Sequence, residues 1–478
     1  MKKILLCALF LCPQPLSAGG MEKLVEKHYE APGLKPALWG LDIRYSQGEK
    51  IYSLNADKNL TPASILKLFV TAAALEIMGP EYRFETGLYA GGEIRRGVLY
   101  GDLIIKGWGD MTLGSGNFGS SPEKVYGEWL AVLKAKGIKE IKGSVKADDT
   151  LFSDYQPGSW AWQDIANYYA ARTGALSIND NLYRIFLRPG KKEGEKTEFL
   201  RFEPEMPLEI ENLVVTGPEK SGDNSYIYGL PWYGKITVKG SVQKQDKEFP
   251  VKGAIGDGAL YCAEAFAKYL SVSGVKTGAP AARIKGKQDY QKLVPLHSGF
   301  SPELREIINV TNKKSFNFYA ESLLKMLPFR GTGSAGESEG FSELMGFLKK
   351  CGIETGDLWL EDASGLARTN SVKASDFTKL LNFMAGRPFF PLFYESMAYP
   401  GDPGAGGHIK KMGLGRNFEK SIRIKSGSLK KVRSYSGYLR TKKGRLISFS
   451  SIINNYSINP AELDSIHEEI FSFLYENY

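Results

Sequence analysis

The stretch Thr61-Pro62-Ala63-Ser64-Ile65-Leu66-Lys67 opens an apolar run that continues to Gly79. Thr61 can cap a helix, Pro62 suits its first turn and Gly79 suits its end, so the stretch predicts a helix. The residues that follow Lys67 are apolar on nearly every side of this helix. Such a pattern is typical of a helix that is buried in a protein core.

Ser64 and Lys67 are three positions apart, which places the hydroxyl and the amine side by side on the first helical turn. A serine hydroxyl beside a neutral amine is a nucleophile beside a base, and burial is one way to keep a lysine neutral. The backbone N–H groups at this end of a helix can also help to hold an oxyanion. Ser64 and Lys67 are also compatible with purely structural roles in a core helix, as a serine near the cap and a lysine whose amine reaches solvent. The choice between the catalytic and the structural interpretation therefore depends on the rest of the sequence.

The composition predicts a globular protein of two or three domains, because the chain has 478 residues and a hydrophobic content of 42%. A basic and then apolar start predicts a secretory signal peptide over residues 1–18, with cleavage after Ala18. We therefore expect an exported protein of the periplasm or cell envelope. No later apolar stretch has the length of a transmembrane helix, which leaves at most peripheral membrane association.

Strand and helix patterns divide the remaining chain into two units. Residues 37–45 and 50–54 predict a β-hairpin before the Ser64 helix, and mixed helices and strands return after residue 287. Residues 86–286 contain mainly short alternating segments separated by glycine-rich turns. The sequence thus predicts an α+β unit of residues 19–85 and 287–478, with helices flanking an antiparallel sheet, interrupted by a β-rich insertion of two subdomains.

Several classes of function are disfavoured by composition. The net charge of +9 is spread along the chain, and no recognition pattern for nucleic acid is present. The four histidines do not cluster, so we expect neither a metal site nor a cofactor. After removal of the signal peptide, Cys262 and Cys351 remain, either as buried free thiols or as one disulfide. The oligomeric state stays open.

Two further motifs complement Ser64. Ser315-Phe316-Asn317 begins a predicted helix, where the hydroxyl and the amide can both line a cleft. Lys425-Ser426-Gly427-Ser428 lies on a predicted strand, where Lys425 and Ser426 can bind a carboxylate and Gly427 permits close approach of a substrate backbone. Each motif is common by chance, whereas the three together in this order are much rarer.

Class A β-lactamases and penicillin-binding proteins share this ordered set of motifs. Nearly the whole mature chain resembles the D-alanyl-D-alanine carboxypeptidase/endopeptidase branch, the low-molecular-mass class C penicillin-binding proteins, and the long insertion is typical of that branch. The resemblance implies a penicillin-binding or serine β-lactamase-like transpeptidase domain. It extends to Tyr100-Gly101-Asp102-Leu103, Gly107-Trp108-Gly109-Asp110, Ala147-Asp148-Asp149-Thr150-Leu151-Phe152, Gly158-Ser159-Trp160-Ala161-Trp162, Ala175-Leu176-Ser177-Ile178-Asn179-Asp180-Asn181 and Asp362-Ala363-Ser364-Gly365-Leu366-Ala367-Arg368.

The resemblance implies that Ser64 attacks the carbonyl before a terminal D-alanine of a peptidoglycan stem peptide, and that water then releases the acyl group. Lys67 would act as the base and Ser315 would pass a proton to the departing amine. Asn317 would bind the substrate amide. Penicillin and other β-lactams would be covalent inhibitors of the same serine, and cleavage of cross-links would be a possible second activity.

The remaining implied residues bind substrate. Lys425 and Ser426 would hold the terminal carboxylate beside Gly427, and the backbone N–H of Ser428 would complete an oxyanion hole with that of Ser64. Asp148 and Arg368 match positions that border the stem-peptide pocket in relatives. A surface acid and a structural ion pair are equally open interpretations of these last two residues.

Two other functions remain open from the sequence. A β-lactamase would use the same nucleophile but would need rapid deacylation, and the sequence offers no clear carboxylate for that step. A catalytically silent wall-binding module would keep the fold without the chemistry. The intact set of nucleophile, base and amide-binding residues disfavours this second alternative.

Overall fold

The computed structural model describes residues 18–152, 156–231 and 233–478, so the predicted signal peptide, apart from Ala18, lies outside the described residues. The helices are α1 Ala18–Tyr29, α2 Lys67–Met78, α3 Pro122–Ala135, α4 Gly258–Val272, α5 Leu304–Lys313, α6 Asn317–Met326, α7 Phe329–Thr332, α8 Glu337–Lys350, α9 Ala374–Ala385, α10 Phe390–Ser396 and α11 Pro460–Asn477. The strands are β1 Leu38–Tyr45, β2 Lys50–Leu54, β3 Glu85–Arg95, β4 Val98–Gly107, β5 Glu140–Ile141, β6 Val145–Asp148, β7 Leu182–Arg188, β8 Glu198–Glu203, β9 Glu209–Gly217, β10 Asp223–Tyr228, β11 Lys235–Gln243, β12 Phe249–Ala254, β13 Lys276–Thr277, β14 Ala282–Arg283, β15 Val294–Phe300, β16 Ile422–Leu429, β17 Val432–Arg440 and β18 Leu446–Asn454.

The two ends of the chain form one antiparallel sheet of order β16-β17-β18-β1-β2. Alternate residues of these strands point to opposite faces, and both faces are buried. Trp39 and Phe449 contribute to the core on the side of α1 and α11, whereas Tyr438 and Ile452 contribute to the core that contains α2. Helices therefore flank an antiparallel sheet on both sides, which confirms the predicted α+β fold.

The start of α2 differs from the prediction. Residues Ala63–Leu66 form a 3₁₀ turn, and the α-helix begins only at Lys67. Thr61 does not cap this helix, because its hydroxyl donates to the carbonyl of Arg368 at 3.0 Å and its N–H donates to the Asn454 side chain at 2.9 Å. The cap prediction is thus wrong, since the polar groups of Thr61 are used to attach the turn to neighbouring segments.

The insertion contains two hydrophobic cores. Strands β3 to β6 and β13 to β15 form a seven-stranded sheet that packs with α3 and α4 around Trp129 and Phe266. Two three-stranded sheets, β10-β11-β9 and β12-β7-β8, share a second core around Tyr183 and Val238. Residues of the predicted insertion thus contribute to two separate hydrophobic cores.

The first sheet of the insertion extends beyond the predicted boundary at residue 286. Strand β15, Val294–Phe300, pairs antiparallel with β3, Glu85–Arg95. The sequence of β15 carries a proline and a glycine, which weaken the strand pattern, and its pairing shifts register between Pro295 and His297. This sheet thus includes Phe300, fourteen positions past the boundary that the sequence pattern indicated.

The two remaining cysteines lie in different cores. Cys262 is buried in α4 within the insertion, and Cys351 is buried at the end of α8 in the other unit. Both are free thiols, so the open alternative of one disulfide between them is excluded. Along the described chain, none of the helices has the length and apolar character that crossing a membrane requires.

Candidate active site

Ser64 lies at the N-terminal end of α2, in the 3₁₀ turn, and is half-buried. The preceding residue, Ala63, has φ of +51°, a conformation that is strained for a residue with a side chain. Gly365 and Gly427 enclose the turn. A Cβ at Gly365 would lie 2.0 Å from the Ala63 carbonyl oxygen, and one at Gly427 would lie 2.8 Å from the Ser64 amide nitrogen. Only glycine permits these two approaches.

The Lys67 amine is fully buried and donates to the Ser64 hydroxyl at 2.9 Å and to the Ser364 carbonyl at 2.6 Å. Burial disfavours the charged form and lowers the pKa of Lys67 to about 7, although the nearby carboxyl groups of Asp362 and Glu321 act in the opposite direction. A substantial neutral fraction at neutral pH follows. Lys67 is thereby able to accept the proton of Ser64.

A loop that precedes Gly365 holds the Ser364 carbonyl in place. The Ala363 and Ser364 N–H groups donate to the side chain of Glu321, at 3.2 and 2.8 Å to its Oε1. Asp362 accepts hydrogen bonds from the Gly365 N–H at 2.8 Å and from the Trp160 indole at 2.8 Å. Burial, followed by the charge of Asp362, raises the pKa of Glu321 to about 8.

Glu321 and Ser364 were not predicted as functional residues. Glu321 is the one acidic residue of α6, four positions after Asn317 and therefore on the same helical face. That spacing is a signal in the sequence. The contact made by the Ser364 carbonyl has no such signal, because every residue has a backbone carbonyl and the residue type does not show which one is used.

A second lysine–serine pair lies beside the first. The buried Lys425 amine donates to the Ser315 hydroxyl at 2.9 Å and to the Ser426 carbonyl at 2.7 Å. Burial, together with the positive charge of Lys67, lowers the pKa of Lys425 well below its ordinary value. Strand β16 carries both Lys425 and Gly427, and Gly427 lies against the Ser64 turn, so the first and third motifs meet in one site.

The other predicted residues of these motifs line the same site. Ser315 has φ of +57° and lies just before α6, whose first residue is Asn317. The Asn317 amide donates to the Tyr169 carbonyl at 2.7 Å. Ser426, Gly427 and the exposed Ser428 follow one another along β16, an edge strand of the sheet, so the backbone beside the Ser64 turn is open on one side.

Asp148 and Arg368 occupy different surroundings. Asp148 is fully buried in β6 of the insertion, where it forms an ion pair with Lys106 at 3.1 Å and accepts hydrogen bonds from Thr150 and Tyr290. Burial raises its pKa, but these partners outweigh that effect and lower it. It is neither a surface acid nor a contact of the catalytic motifs. Asp148, which was predicted to border the substrate pocket, thus belongs to a buried network of ion pairs and hydrogen bonds within the insertion.

Arg368, in contrast, lies at the rim of the site. Its side chain is exposed and donates to the Lys430 carbonyl at 3.1 Å, in the turn that follows β16. Its own carbonyl accepts the hydrogen bond from Thr61. Arg368 therefore connects the Ser64 turn to the end of the strand that carries Lys425.

No group of three or more histidine, cysteine, aspartate or glutamate side chains suited to a metal ion occurs among residues 18–152, 156–231 and 233–478. The groups that meet at Ser64 are instead hydroxyls, amines and backbone amides. This set is suited to nucleophilic acyl transfer with proton transfer by side chains.

Comparisons with known proteins agree on one family. A model of the D-Ala-D-Ala carboxypeptidase 3 (S13) family matches residues 21–476. A D-alanyl-D-alanine carboxypeptidase of Actinomadura is 29% identical over 445 residues, covering 91% of this chain and 80% of the relative. D-alanyl-D-alanine carboxypeptidase DacB of Haemophilus influenzae is 26% identical and covers 87% of this chain and 85% of the relative.

The fold agrees with the same group of proteins. The crystal structure of penicillin binding protein 4 from Haemophilus influenzae superposes with a TM-score of 0.79 at 25% sequence identity. The match covers 95% of this chain and 99% of that one, so it includes the insertion as well as the unit that carries the motifs.

Proposed function

The chain belongs to the D-Ala-D-Ala carboxypeptidase 3 (S13) family, and from this premise we propose that it is an exported serine peptidase that trims peptidoglycan stem peptides through an acyl-enzyme on Ser64. One observation carries the proposal. The Ser64 hydroxyl lies 2.9 Å from an amine whose pKa burial lowers to about 7, and a second lysine–serine pair faces it. The first pair supplies a nucleophile with its base, and the second supplies a proton donor and a cation for the substrate carboxylate.

Acylation begins at the first pair. The neutral Lys67 amine accepts the Ser64 proton while the hydroxyl oxygen attacks the carbonyl carbon of the penultimate D-alanine. The carbonyl oxygen becomes an oxyanion, which the backbone N–H groups of Ser64 and Ser428 stabilise. A neutral amine is essential for this step, since a protonated Lys67 has no lone pair to accept the proton.

Departure of D-alanine uses the second pair. As the C–N bond breaks, Ser315 donates its proton to the leaving nitrogen, and Lys425 restores the proton of Ser315 through their 2.9 Å hydrogen bond. Lys425 and Ser426 hold the terminal carboxylate of the substrate. The incoming carboxylate supplies the negative charge that favours protonation of Lys425, whose amine is buried beside another lysine in the free site.

Water completes the cycle. The proton that Lys67 took from Ser64 first passes by way of solvent to Lys425, which gave one up to the leaving amine, so both amines return to their starting states. Water then attacks the acyl carbon, the neutral Lys67 accepts its proton, and the proton returns to Ser64 as the ester bond breaks. β-Lactams would acylate the same hydroxyl, in line with the name of the penicillin binding protein from Haemophilus influenzae. A cross-link would be cleaved by the same steps, with the amine of a second stem peptide as leaving group.

The experiment that tests this proposal locates the residue to which penicillin becomes covalently attached. The intact protein is incubated with benzylpenicillin, digested and analysed by mass spectrometry, in parallel with the Ser64→Ala variant. We expect one adduct on the peptide that contains Ser64 and none in the variant. Labelling that persists in Ser64→Ala would remove this residue from the role of nucleophile.

The same preparation separates the alternative functions. Release of D-alanine from an acyl-D-Ala-D-Ala peptide, with slow loss of the penicillin adduct, is expected for the peptidase. Rapid antibiotic turnover without release of D-alanine would instead identify a β-lactamase. A folded protein that does neither would be a silent binding module.

A further inference from the structure

A cleft of about 720 Å³ separates the insertion from the loops beside the catalytic motifs. Tyr168, Arg184 and Lys252 line it from the insertion, whereas Lys314, Phe316 and Lys410 line it from the other unit. Its volume is within the range of pockets that bind ligands of several hundred daltons. A cleft of this size can hold more than the single alanine that a carboxypeptidase releases.

The cleft lies next to the segment that carries Ser315 of the second lysine–serine pair. Lys314 and Phe316, which line it, are the residues on either side of Ser315. Tyr168 lines the opposite wall, and the carbonyl of the next residue, Tyr169, accepts the hydrogen bond from Asn317. Because Ser315 donates its proton to the leaving nitrogen, the cleft lies on the leaving-group side of the scissile bond.

Basic side chains line both walls of the cleft. Lys252, Lys314 and Lys410 are exposed on it. The Lys252 amine lies 5.8 Å from the centre of the Tyr168 ring, the Lys314 amine lies 2.7 Å from the Asn117 carbonyl oxygen, and both lysines also interact with the charge of the buried Asp180. Both walls therefore present cations to a ligand in the cleft.

The acids of the lining only partly balance these cations. Asp180 is buried and accepts hydrogen bonds from Tyr319 and Asn117. Glu203 forms an ion pair with Arg184 at 3.4 Å, and Glu123 is the other acidic residue of the lining. The surface open to solvent in the cleft thus keeps a net positive character.

We propose that this cleft binds the second stem peptide of a cross-link, an acidic peptide attached to the leaving nitrogen, and that Lys252 and Lys410 bind its carboxylates. The inference rests on the proposed function, because it assigns a place to one arm of the cross-linked substrate. An extended tetrapeptide is about 13 Å long, so its carboxylates lie beyond the leaving nitrogen, on the side of Ser315 where the cleft is found.

The test compares two substrates in the full-length protein. One is a cross-linked muropeptide dimer, and the other is a short acyl-D-Ala-D-Ala peptide that ends at the carboxylate site. We expect the Lys252→Glu/Lys410→Glu variant to lose about tenfold in kcat/KM for the dimer at low ionic strength, while the short peptide changes less than twofold. The matched control is Lys239→Glu, an exposed lysine of β11 outside the cleft, which should affect neither substrate.

Two further measurements keep the proposal testable if the double variant does not fold. In the wild type, added salt should lower kcat/KM for the dimer more than for the short peptide, because exposed charges are screened. A dimer whose free carboxylates are amidated should be cleaved less efficiently than the acidic dimer. Equal salt dependence, or equal cleavage of both dimers, would overturn the proposal.

The outcomes also distinguish this inference from the proposed function. Release of D-alanine without any cleavage of dimers would overturn the role of the cleft and leave the carboxypeptidase intact. Loss of both activities in a folded wild type would overturn the proposed function itself. A dimer activity that the lysine reversals leave unchanged would show that the second stem peptide lies elsewhere.

Discussion

The site contains two buried lysine–serine pairs with the same separation and different surroundings. Lys67 lies 2.9 Å from Ser64, and Lys425 lies 2.9 Å from Ser315. Both amines are buried, which lowers the pKa of each, but two carboxyl groups raise the pKa of Lys67 whereas the charge of Lys67 lowers that of Lys425 further. Neighbouring charge, rather than distance to the hydroxyl, thus distinguishes the two pairs.

This difference matches the two proposed tasks. A general base works best when its pKa is close to the operating pH, and a pKa of about 7 meets that condition for Lys67. A carboxylate-binding amine needs its charge only when substrate is present. The charge of Lys425 would therefore be favoured by a substrate carboxylate, while that of Lys67 is favoured by fixed carboxyl groups of the protein.

The largest expected effect comes from removing the base. Lys67→Met keeps most of the buried volume but eliminates the proton acceptor, and we expect acylation by penicillin and release of D-alanine to fall by about 10³-fold or more. Stopped-flow measurement with a fluorescent penicillin gives the acylation rate constant. A variant that retained more than a tenth of the wild-type rate constant would transfer the role of base to another group.

The wild-type pH profile is the companion measurement. Because only the neutral amine accepts a proton, the acylation rate constant should fall about tenfold per pH unit below pH 7. It should level off above that value as Lys67 becomes fully neutral. A profile that stays flat between pH 5 and 7 would contradict a titrating Lys67.

An intermediate effect is expected at the second pair. Lys425→Met should lower kcat/KM for an acyl-D-Ala-D-Ala peptide by about 100-fold, since a charge-assisted hydrogen bond to the carboxylate is lost. The same substrate with a C-terminal amide offers no carboxylate and should lose much less. Equal losses for the free acid and the amide would assign Lys425 to proton transfer alone.

Part of this site follows from local sequence, and part does not. The Ser64–Lys67 contact is a consequence of helical spacing, so the sequence was enough to predict it. The contact between the Lys67 amine and the Ser364 carbonyl joins residues 297 positions apart, and no periodic pattern encodes it. The contacts that set the pKa of Lys67 were therefore missed, although the pairing of Lys67 with Ser64 was predicted.

The fold, like the site, was predicted from the sequence only in part. The antiparallel sheet flanked by helices was predicted from strand alternation and helix punctuation. Strand β15 was missed, because Pro295 and Gly299 weaken its pattern and its partner β3 lies about 200 positions earlier. Asp148 matched a motif by sequence, but in the structure it lies in β6, where it forms an ion pair with Lys106 and accepts a hydrogen bond from Tyr290. A motif match fixes residue type and leaves the three-dimensional neighbours undetermined.

The smallest expected effect comes from the carboxyl group beside the first pair. The pKa of Glu321 is about 8, so its carboxyl is mostly protonated at pH 7, and Glu321→Gln should preserve the acceptor for the Ala363 and Ser364 N–H groups. We expect acylation at pH 7 to change by less than about threefold. Glu321→Leu, the matched control, leaves both N–H groups unsatisfied and should cost about 1–3 kcal/mol of stability.

The pH dependence of stability isolates the charge of Glu321. Its pKa is raised in the folded protein from 4.5 to about 8, so the folded state binds the proton more tightly than the unfolded state. The stabilising contribution of the protonated Glu321 to the free energy of unfolding is fully present below pH 4.5 and is lost as the pH rises through 8. Glutamine has no proton to lose, so the Tm of Glu321→Gln relative to the wild type should increase between pH 5 and pH 8. A difference in Tm that is constant across this range would mean that Glu321 is already ionised at pH 5, and that Lys67 has a permanent negative charge beside it.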